Sequence, residues 1–333
     1  MNTIEVARRY ADKDACLDYL EQMRWPNGLC CIKCGEMNVS KFTTNETTRK
    51  RFSKKKRGTI EVKVPARRLY QCKAKQCGYQ FSATTGTIFH DSHLPLEKWF
   101  MAVALILEAK KGMSALQVGR HLGIPEENYK TVWYLCHRIR EAMQEGGLLT
   151  GIVEADETYL TPKKPRKGHP YVKKEKRDVV FGMIERGGRL RLVPIADAKR
   201  EIIEPVIDKH VAPDATLQTD GHPTYAIIAE GRRGDHRVID HNQSYAWGDV
   251  HTNTIENAFS LLKRGVYGTF HKVSIKHLGR YCNEFSYRFN RRHSQEQMFG
   301  ETMKGLLNGK PMPFKTLISS PERAVSDSAS DSF

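Results

Sequence analysis

Apolar and polar positions along the chain fall into three regimes. Residues 1 to about 24 read as one packing helix, with Ala15, Tyr19, Leu20 and Met23 at helical intervals. A second helical stretch begins at Pro95, a good first helical position, and carries Trp99, Val103, Ile106 and Leu107 to a stop at Gly112. Ser114 with Gln117 three residues on reads as the capping box of a short helix whose Leu116 and Leu122 face inward. Gly123 and Ile124 then form a turn into a longer helix with a buried stripe of Val132, Trp133, Cys136, Ile139 and Met143. From Gly151 the spacing changes to that of strands. GIVEADETYL forms one, VVFGMIERGGRLRLVPIADA two joined at Gly187 and Gly188, and ATLQTDGHPTY a fourth ending at Asp220, with a connecting helix from Arg200 to His210. Two more amphipathic helices follow, marked by Ile255, Phe259 and Leu262 and by Leu278, Tyr281, Cys282, Phe285 and Phe289. Strands mixed with helices predict an α/β domain with a central sheet in the second half.

Charge adds a partner to this picture. With 54 Lys and Arg against 38 Asp and Glu, the chain carries a net charge of +16 over 333 residues, which suits a polyanion, most commonly nucleic acid. An anionic membrane surface is the competing reading, but no apolar run approaches the ~18 residues of a spanning helix. The start MNTIEVARRYADKD also lacks a signal peptide's apolar segment, so a cytoplasmic protein is expected. In that compartment the eight cysteines are poor candidates for disulfides. Their spacing is more telling: Cys31 and Cys34 are followed by Gly35, and Cys72 and Cys77 by Gly78. Two knuckles closed by glycine suit one structural zinc ion with four thiolate ligands, although the second pair is wider than usual and Cys30 is a rival ligand.

Between the knuckles, Arg49, Lys50, Arg51, Lys54, Lys55, Lys56 and Arg57 fill seven of nine positions. A second basic run, TPKKPRKGHPYVKKEKR, includes Lys163, Lys164, Arg166 and Lys167. Either can be a solvated loop; on a chain this basic, both are candidates to grip a phosphate backbone. The short helix, turn and longer helix up to residue 143 describe a helix-turn-helix, with Asn128, Lys130, Thr131, Tyr134 and Arg138 as outward candidates for a major groove; a plain three-helix bundle fits the same pattern.

Three carboxylates carry the candidate chemistry. Asp156 and Asp220 lie at or near the carboxyl ends of strands, where ligand sites of open sheets gather, and Glu256 stands on the next long helix. Such a set can converge on two hard divalent cations and support in-line phosphoryl transfer. Lys263, seven residues after Glu256, returns to the same helix face, and Arg264 follows it. Strand alternation puts Glu154 and Asp156 on one face, so position alone leaves two contenders for the first carboxylate, with Glu157 on the other face.

Ordered motifs narrow these choices. VEADETY around Asp156, TDGHPTY around Asp220 and HTNTIENAFSLLKRGVYGTFH around Glu256 closely resemble the DDE transposases of bacterial insertion sequences, in particular the ISXO-like group. WPNG, FSATTGTIF and GRYCNEFSYRFNRR extend the similarity over roughly residues 20 to 295. The resemblance implies an α/β fold in which a ribonuclease H-like catalytic domain, a mixed sheet flanked by helices, is preceded by a zinc ribbon and a helix-turn-helix. It further implies metal ligation by Asp156, Asp220 and Glu256, with Asp156 bridging two Mg²⁺ or Mn²⁺ ions, and a phosphate contact from Lys263. The implied activity is cleavage of the element's ends and joining of their 3′-hydroxyls to target DNA by a dimer or larger assembly. A same-fold nuclease and a non-catalytic DNA-binding regulator are the alternatives. The resulting expected division is an N-terminal helix (1–27), zinc ribbon with basic insertion (28–90), helix-turn-helix (91–148), catalytic domain (149–300) and a partly disordered extension (301–333).

Overall fold

The computed structural model describes residues 1–53, 57–160, 178–239 and 251–319. Lys54, Lys55, Lys56, Lys163, Lys164, Arg166 and Lys167, expected to meet DNA, lie outside the described residues, as does the tail beyond Ser319. Two units emerge, one formed by Ile4–Phe100 with Lys304–Pro311, the other mainly by Met101–Met303. Among the described residues, no helix is long and apolar enough to cross a membrane.

The first unit begins with helices α1 (Thr3–Arg9) and α2 (Lys13–Arg24), where one helix was expected. The break falls at Asp12, whose carboxylate accepts the Ala15 N–H at 2.8 Å and starts a new helix. Strands β1 (Val39–Thr43), β2 (Thr47–Ser53), β3 (Gly58–Val64), β4 (Arg68–Cys72) and β5 (Gln80–Phe81) follow. Strands β1, β4 and β5 form a small antiparallel sheet, while β2 and β3 make a separate hairpin. Arg68 of β4 ties α2 to this sheet through Asp14, Asp18 and Glu21. Trp25 packs edge to face on Tyr70 of β4 and Phe81 of β5. Arg49, Lys50 and Arg51 stand exposed on β2, and Arg57 is exposed where β3 begins.

Helix α3 (Leu96–Glu108) leads to α4 (Ala115–His121) and α5 (Tyr129–Glu141). Ser114 caps α4 as expected, its hydroxyl accepting the Gln117 N–H at 3.2 Å, but Leu116 faces outward and Val118 with Leu122 faces in. Lys130 and Thr131 are exposed on the first turn of α5. Arg138 corrects the outward reading: it is only 5% exposed, with its guanidinium 4.1 Å from the centre of the Tyr134 ring. Its half of α5 is enclosed on nearly every side, with His137, Ile139 and Arg140 buried beside it, so helical phase alone could not place Arg138 in solvent.

The remaining elements are β6 (Ile152–Tyr159), β7 (Val179–Glu185), β8 (Leu190–Ile195), α6 (Arg200–His210), β9 (Thr216–Asp220), α7 (Pro223–Glu230), β10 (His236–Ile239), α8 (Asn253–Gly265), α9 (Ile275–Asn290), α10 (Gln295–Asn308) and α11 (Phe314–Ile318). Among the described residues, five strands make one mixed sheet in the order β10-β9-β6-β7-β8. Strands β6, β7 and β8 run as an antiparallel meander, and β9 and β10 add in parallel on the other side of β6. Alternation along the strands builds two cores. Val153, Ala155, Phe181 and Met183 meet Ile203 and Ile207 of α6 and Tyr225 of α7, while Val180, Ile184 and Leu192 meet Ile255, Phe259 and Leu262 of α8 and Leu278 of α9.

Gly182 of β7, the register partner of Asp156, lets α8 lie close on that second face. A Cβ there would stand 2.6 Å from Phe259 and 2.7 Å from Ile255. Gly182→Ala is therefore expected to cost about 1–3 kcal/mol in chemical denaturation through overpacking. Gly146→Ala, where a Cβ meets nothing within 4 Å, should stay within about 0.5 kcal/mol.

Candidate active site

In the first unit the four cysteine sulfurs of Cys31, Cys34, Cys72 and Cys77 all lie within 4.8 Å of one another. Cys31 and Cys77 are 3.8 Å apart, and Cys34 and Cys72 3.6 Å. Tetrahedral zinc with Zn–S bonds of about 2.3 Å needs sulfurs about 3.8 Å apart, so the cage fits that ion. Both knuckles turn through a left-handed glycine, Gly35 at φ +78° and Gly78 at φ +53°. Cys30 stands outside the group.

The second cluster lies at the carboxyl ends of β6 and β9. Asp156, Glu157, Glu256, Lys263 and Arg264 line one open cleft of about 830 Å³. Asp156 and Glu256 reach it from different elements because α8 crosses the sheet face that bears Asp156. Asp220 ends β9 beside it, its carboxylate accepting the His222 N–H at 3.1 Å. The Thr252 hydroxyl donates to Glu256 at 3.2 Å. Lys263 is partly exposed and Arg264 exposed, two turns along the same helix.

Burial, then the negative charges of Glu157, Asp220 and Glu256, push the Asp156 carboxyl up to about 7, against the lowering effect of the Glu157 N–H that it accepts at 2.7 Å. The mutual repulsion shows that these carboxylates share one field. Oxygen donors crowded in this way suit a hard divalent cation, whose charge would offset the repulsion. Among the described residues they do not form a closed cage like that of the thiols.

The structure separates the two first-carboxylate contenders. Glu154 is fully buried and accepts hydrogen bonds from the start of α8, whereas Asp156 lines the cleft. Sequence reasoning missed Tyr225 of α7, whose hydroxyl donates to Glu157 from the opposite side of the sheet. Burial first of all raises Glu157, and that hydrogen bond works against the rise. An aromatic residue in a TDGHPTY turn offers no periodic signal of such a contact.

The chain thus carries a cysteine cage on a small ribbon and an acidic cleft on a mixed sheet, within a strongly basic composition. Both parts are similar to known families. Residues 148–290 match the ISXO2-like transposase domain, and residues 11–80 the transposase zinc-ribbon domain. A Halobacterium salinarum protein described as an uncharacterized protein in transposable element ISH50 is 26% identical over 274 residues, covering 77% of this chain and 84% of that one. A cryo-EM structure of the simian T-cell lymphotropic virus intasome in complex with PP2A regulatory subunit B56 gamma aligns over 61% of this chain and 70% of that one, at 10% identity and a TM-score of 0.23. A superposition that loose carries no weight for the fold.

Two outcomes follow. Purified protein should hold one zinc ion per chain by elemental analysis; Cys34→Ser should lose the metal and the protease resistance of the ribbon, a loss of about 10 kcal/mol, while Cys30→Ser keeps both. For Asp156, the folded carboxyl binds its proton more tightly than the unfolded one, so its contribution to stability is full below about pH 4 and is lost as pH rises through about 7. In zinc-loaded protein without added Mg²⁺ or Mn²⁺, Asp156→Asn should accordingly raise the melting temperature at pH 8, with the gain vanishing towards pH 4.

Proposed function

We propose that the chain is a DDE transposase that cleaves the ends of its insertion sequence and joins their 3′-hydroxyls to target DNA. The observation that carries this reading is the convergence of Asp156, Glu256 and Lys263 on one cleft, with the charge of Asp220 felt at Asp156. A sheet with an antiparallel meander of three strands extended by two parallel strands supports a ribonuclease H-like catalytic domain.

In this reading Asp156, Asp220 and Glu256 would hold two Mg²⁺ or Mn²⁺ ions. When bound, such ions supply Lewis acidity to the attacking and leaving oxygens. Lys263 steadies a non-bridging phosphate oxygen as a point charge at the cleft wall, and Arg264 extends the positive rim. In the first step water attacks phosphorus and the P–O3′ bond breaks, leaving a 3′-hydroxyl on the element. In the second, that hydroxyl loses its proton and its oxygen attacks a target phosphorus, displacing the target's own 3′ oxygen.

End recognition is assigned to the first unit and to α4 and α5 as a helix-turn-helix. The burial of Arg138 restricts the reading surface of α5 to its first turn, where Lys130 and Thr131 are exposed. Arg49, Lys50, Arg51 and Arg57 present cations along the hairpin, suited to phosphates rather than bases. Pairing of two ends requires a dimer or larger assembly on DNA.

The test is an assay with Mg²⁺ and a duplex carrying the element's terminal repeats. Wild type is expected to give both cleaved and strand-joined products. Asp156→Ala, Asp220→Ala and Glu256→Ala should abolish both while end binding persists, and Lys263→Ala should slow them about 10²-fold. Cleavage without joined product at any metal concentration would make the chain a nuclease, and end binding without cleavage would make it a regulator.

A further inference from the structure

Glu154 is an acidic residue that the chemistry does not use and that stands outside the lining of the cleft. It lies on β6 two residues before Asp156, on the same face, with no exposed surface. One carboxylate oxygen accepts the backbone N–H of Thr254 at 2.9 Å and of Ile255 at 3.1 Å. The other accepts the Thr254 hydroxyl at 2.8 Å and Nη2 of Arg186 at 3.2 Å, and lies 3.3 Å from Nδ1 of His251. Gln218, its register partner on β9, accepts the same Arg186 nitrogen at 2.7 Å and the His251 N–H at 3.3 Å.

Thr254 and Ile255 hold two of the N–H groups that a helix leaves unpaired at its start, and a negative charge there is favoured by the helix dipole. The local cap position, Thr252, makes no side-chain capping bond; its hydroxyl turns to Glu256 instead. The cap of α8 is therefore supplied from another element, 100 residues away along the chain. Its consequence is geometric. β6 carries Asp156 two residues beyond Glu154, and α8 carries Glu256 two residues beyond Thr254, so one buried carboxylate joins the elements that bear the two acids.

We propose that Glu154 is a positioning residue, braced by Arg186 and Gln218, that fixes the start of α8 on β6 and thereby sets the separation of Asp156 and Glu256 for divalent cation binding. This rests on the metal-binding role proposed for those two acids. Glu154 touches no substrate; it acts through the helix it caps. Other carboxylates of the sheet serve different ends: Glu185 accepts from Arg189, Thr150 and the Arg189 N–H at the β7–β8 turn, away from α8.

The experiment measures Mn²⁺ binding to full-length, zinc-loaded protein freed of other divalent cations by the electron paramagnetic resonance of free Mn²⁺, with melting temperature and near-ultraviolet circular dichroism recorded alongside. Wild type should bind and Asp156→Ala should not; unchanged binding in Asp156→Ala would defeat the metal-site reading itself. With that established, Glu154→Gln, which keeps the shape and one acceptor oxygen, is expected to raise the Mn²⁺ Kd about 10–100-fold in a protein that remains folded. Glu185→Gln serves as the structural comparison, lowering the melting temperature without moving the Kd. A folded Glu154→Gln with wild-type Kd would overturn the positioning role while leaving the metal site intact. Should Glu154→Gln fail to fold, Thr254→Ala carries the test, because it deletes only the hydroxyl contact. A Kd raised several-fold there supports the proposal, and an unchanged one overturns it.

Discussion

The close seating of α8 on the sheet is the constraint on which the candidate site depends. Gly182 leaves room for Phe259 and Ile255 to reach the strand, and Glu154 satisfies the first backbone donors of the helix from the adjacent strand. The two features act in different currencies. The glycine allows dispersion contact across a gap that a methyl group would block, while the carboxylate removes the cost of burying unpaired N–H groups. Together they hold Glu256 and Lys263 at the wall where Asp156 emerges.

Charge is handled unevenly across this unit. Glu154 is deeply buried yet amply partnered, while the equally buried Arg140 and Glu284 pair with each other at 2.6 Å. Such pairs are weak evidence for stability, because desolvation offsets much of their attraction, but they penalise any arrangement that separates them. Asp156 is the opposite case. Its own burial first, and then the like charges of Glu157, Asp220 and Glu256, raise its pKa. The ribbon poses the same problem with thiols, four of them within 4.8 Å of one another around a volume that fits zinc.

Much of this was legible from local pattern. The knuckles at Cys31, Cys34, Cys72 and Cys77, the meander broken at Gly187 and Gly188, the connecting helix from Arg200 to His210 and the apolar stripe of α8 all follow from spacing, and spacing is a property of a few neighbouring residues. Of the acids nominated from the ends of β6 and β9 and from α8, Asp156 and Glu256 line one cleft, and the charge of Asp220 is felt at Asp156. Less legible were the break at Asp12, which needed only one capping carboxylate inside a helical pattern, and the short α7 and β10, whose few residues carry too little periodicity to stand out.

The sequence by itself determined which chemistry each segment can carry: thiolates in paired knuckles, carboxylates at strand ends, and cations on a helix face and in basic runs. Strand alternation left Glu154 and Asp156 level, and the tertiary structure shows what lands on each, the start of α8 on Glu154 and the open cleft on Asp156. That structure likewise withdrew Arg138 from solvent and left Lys130 and Thr131 as the exposed start of α5. The physical reason is the same in each case. Helical and strand periods set the direction of a side chain from its own backbone, but burial depends on the element packed against it, and for Glu154 that element begins about a hundred residues downstream.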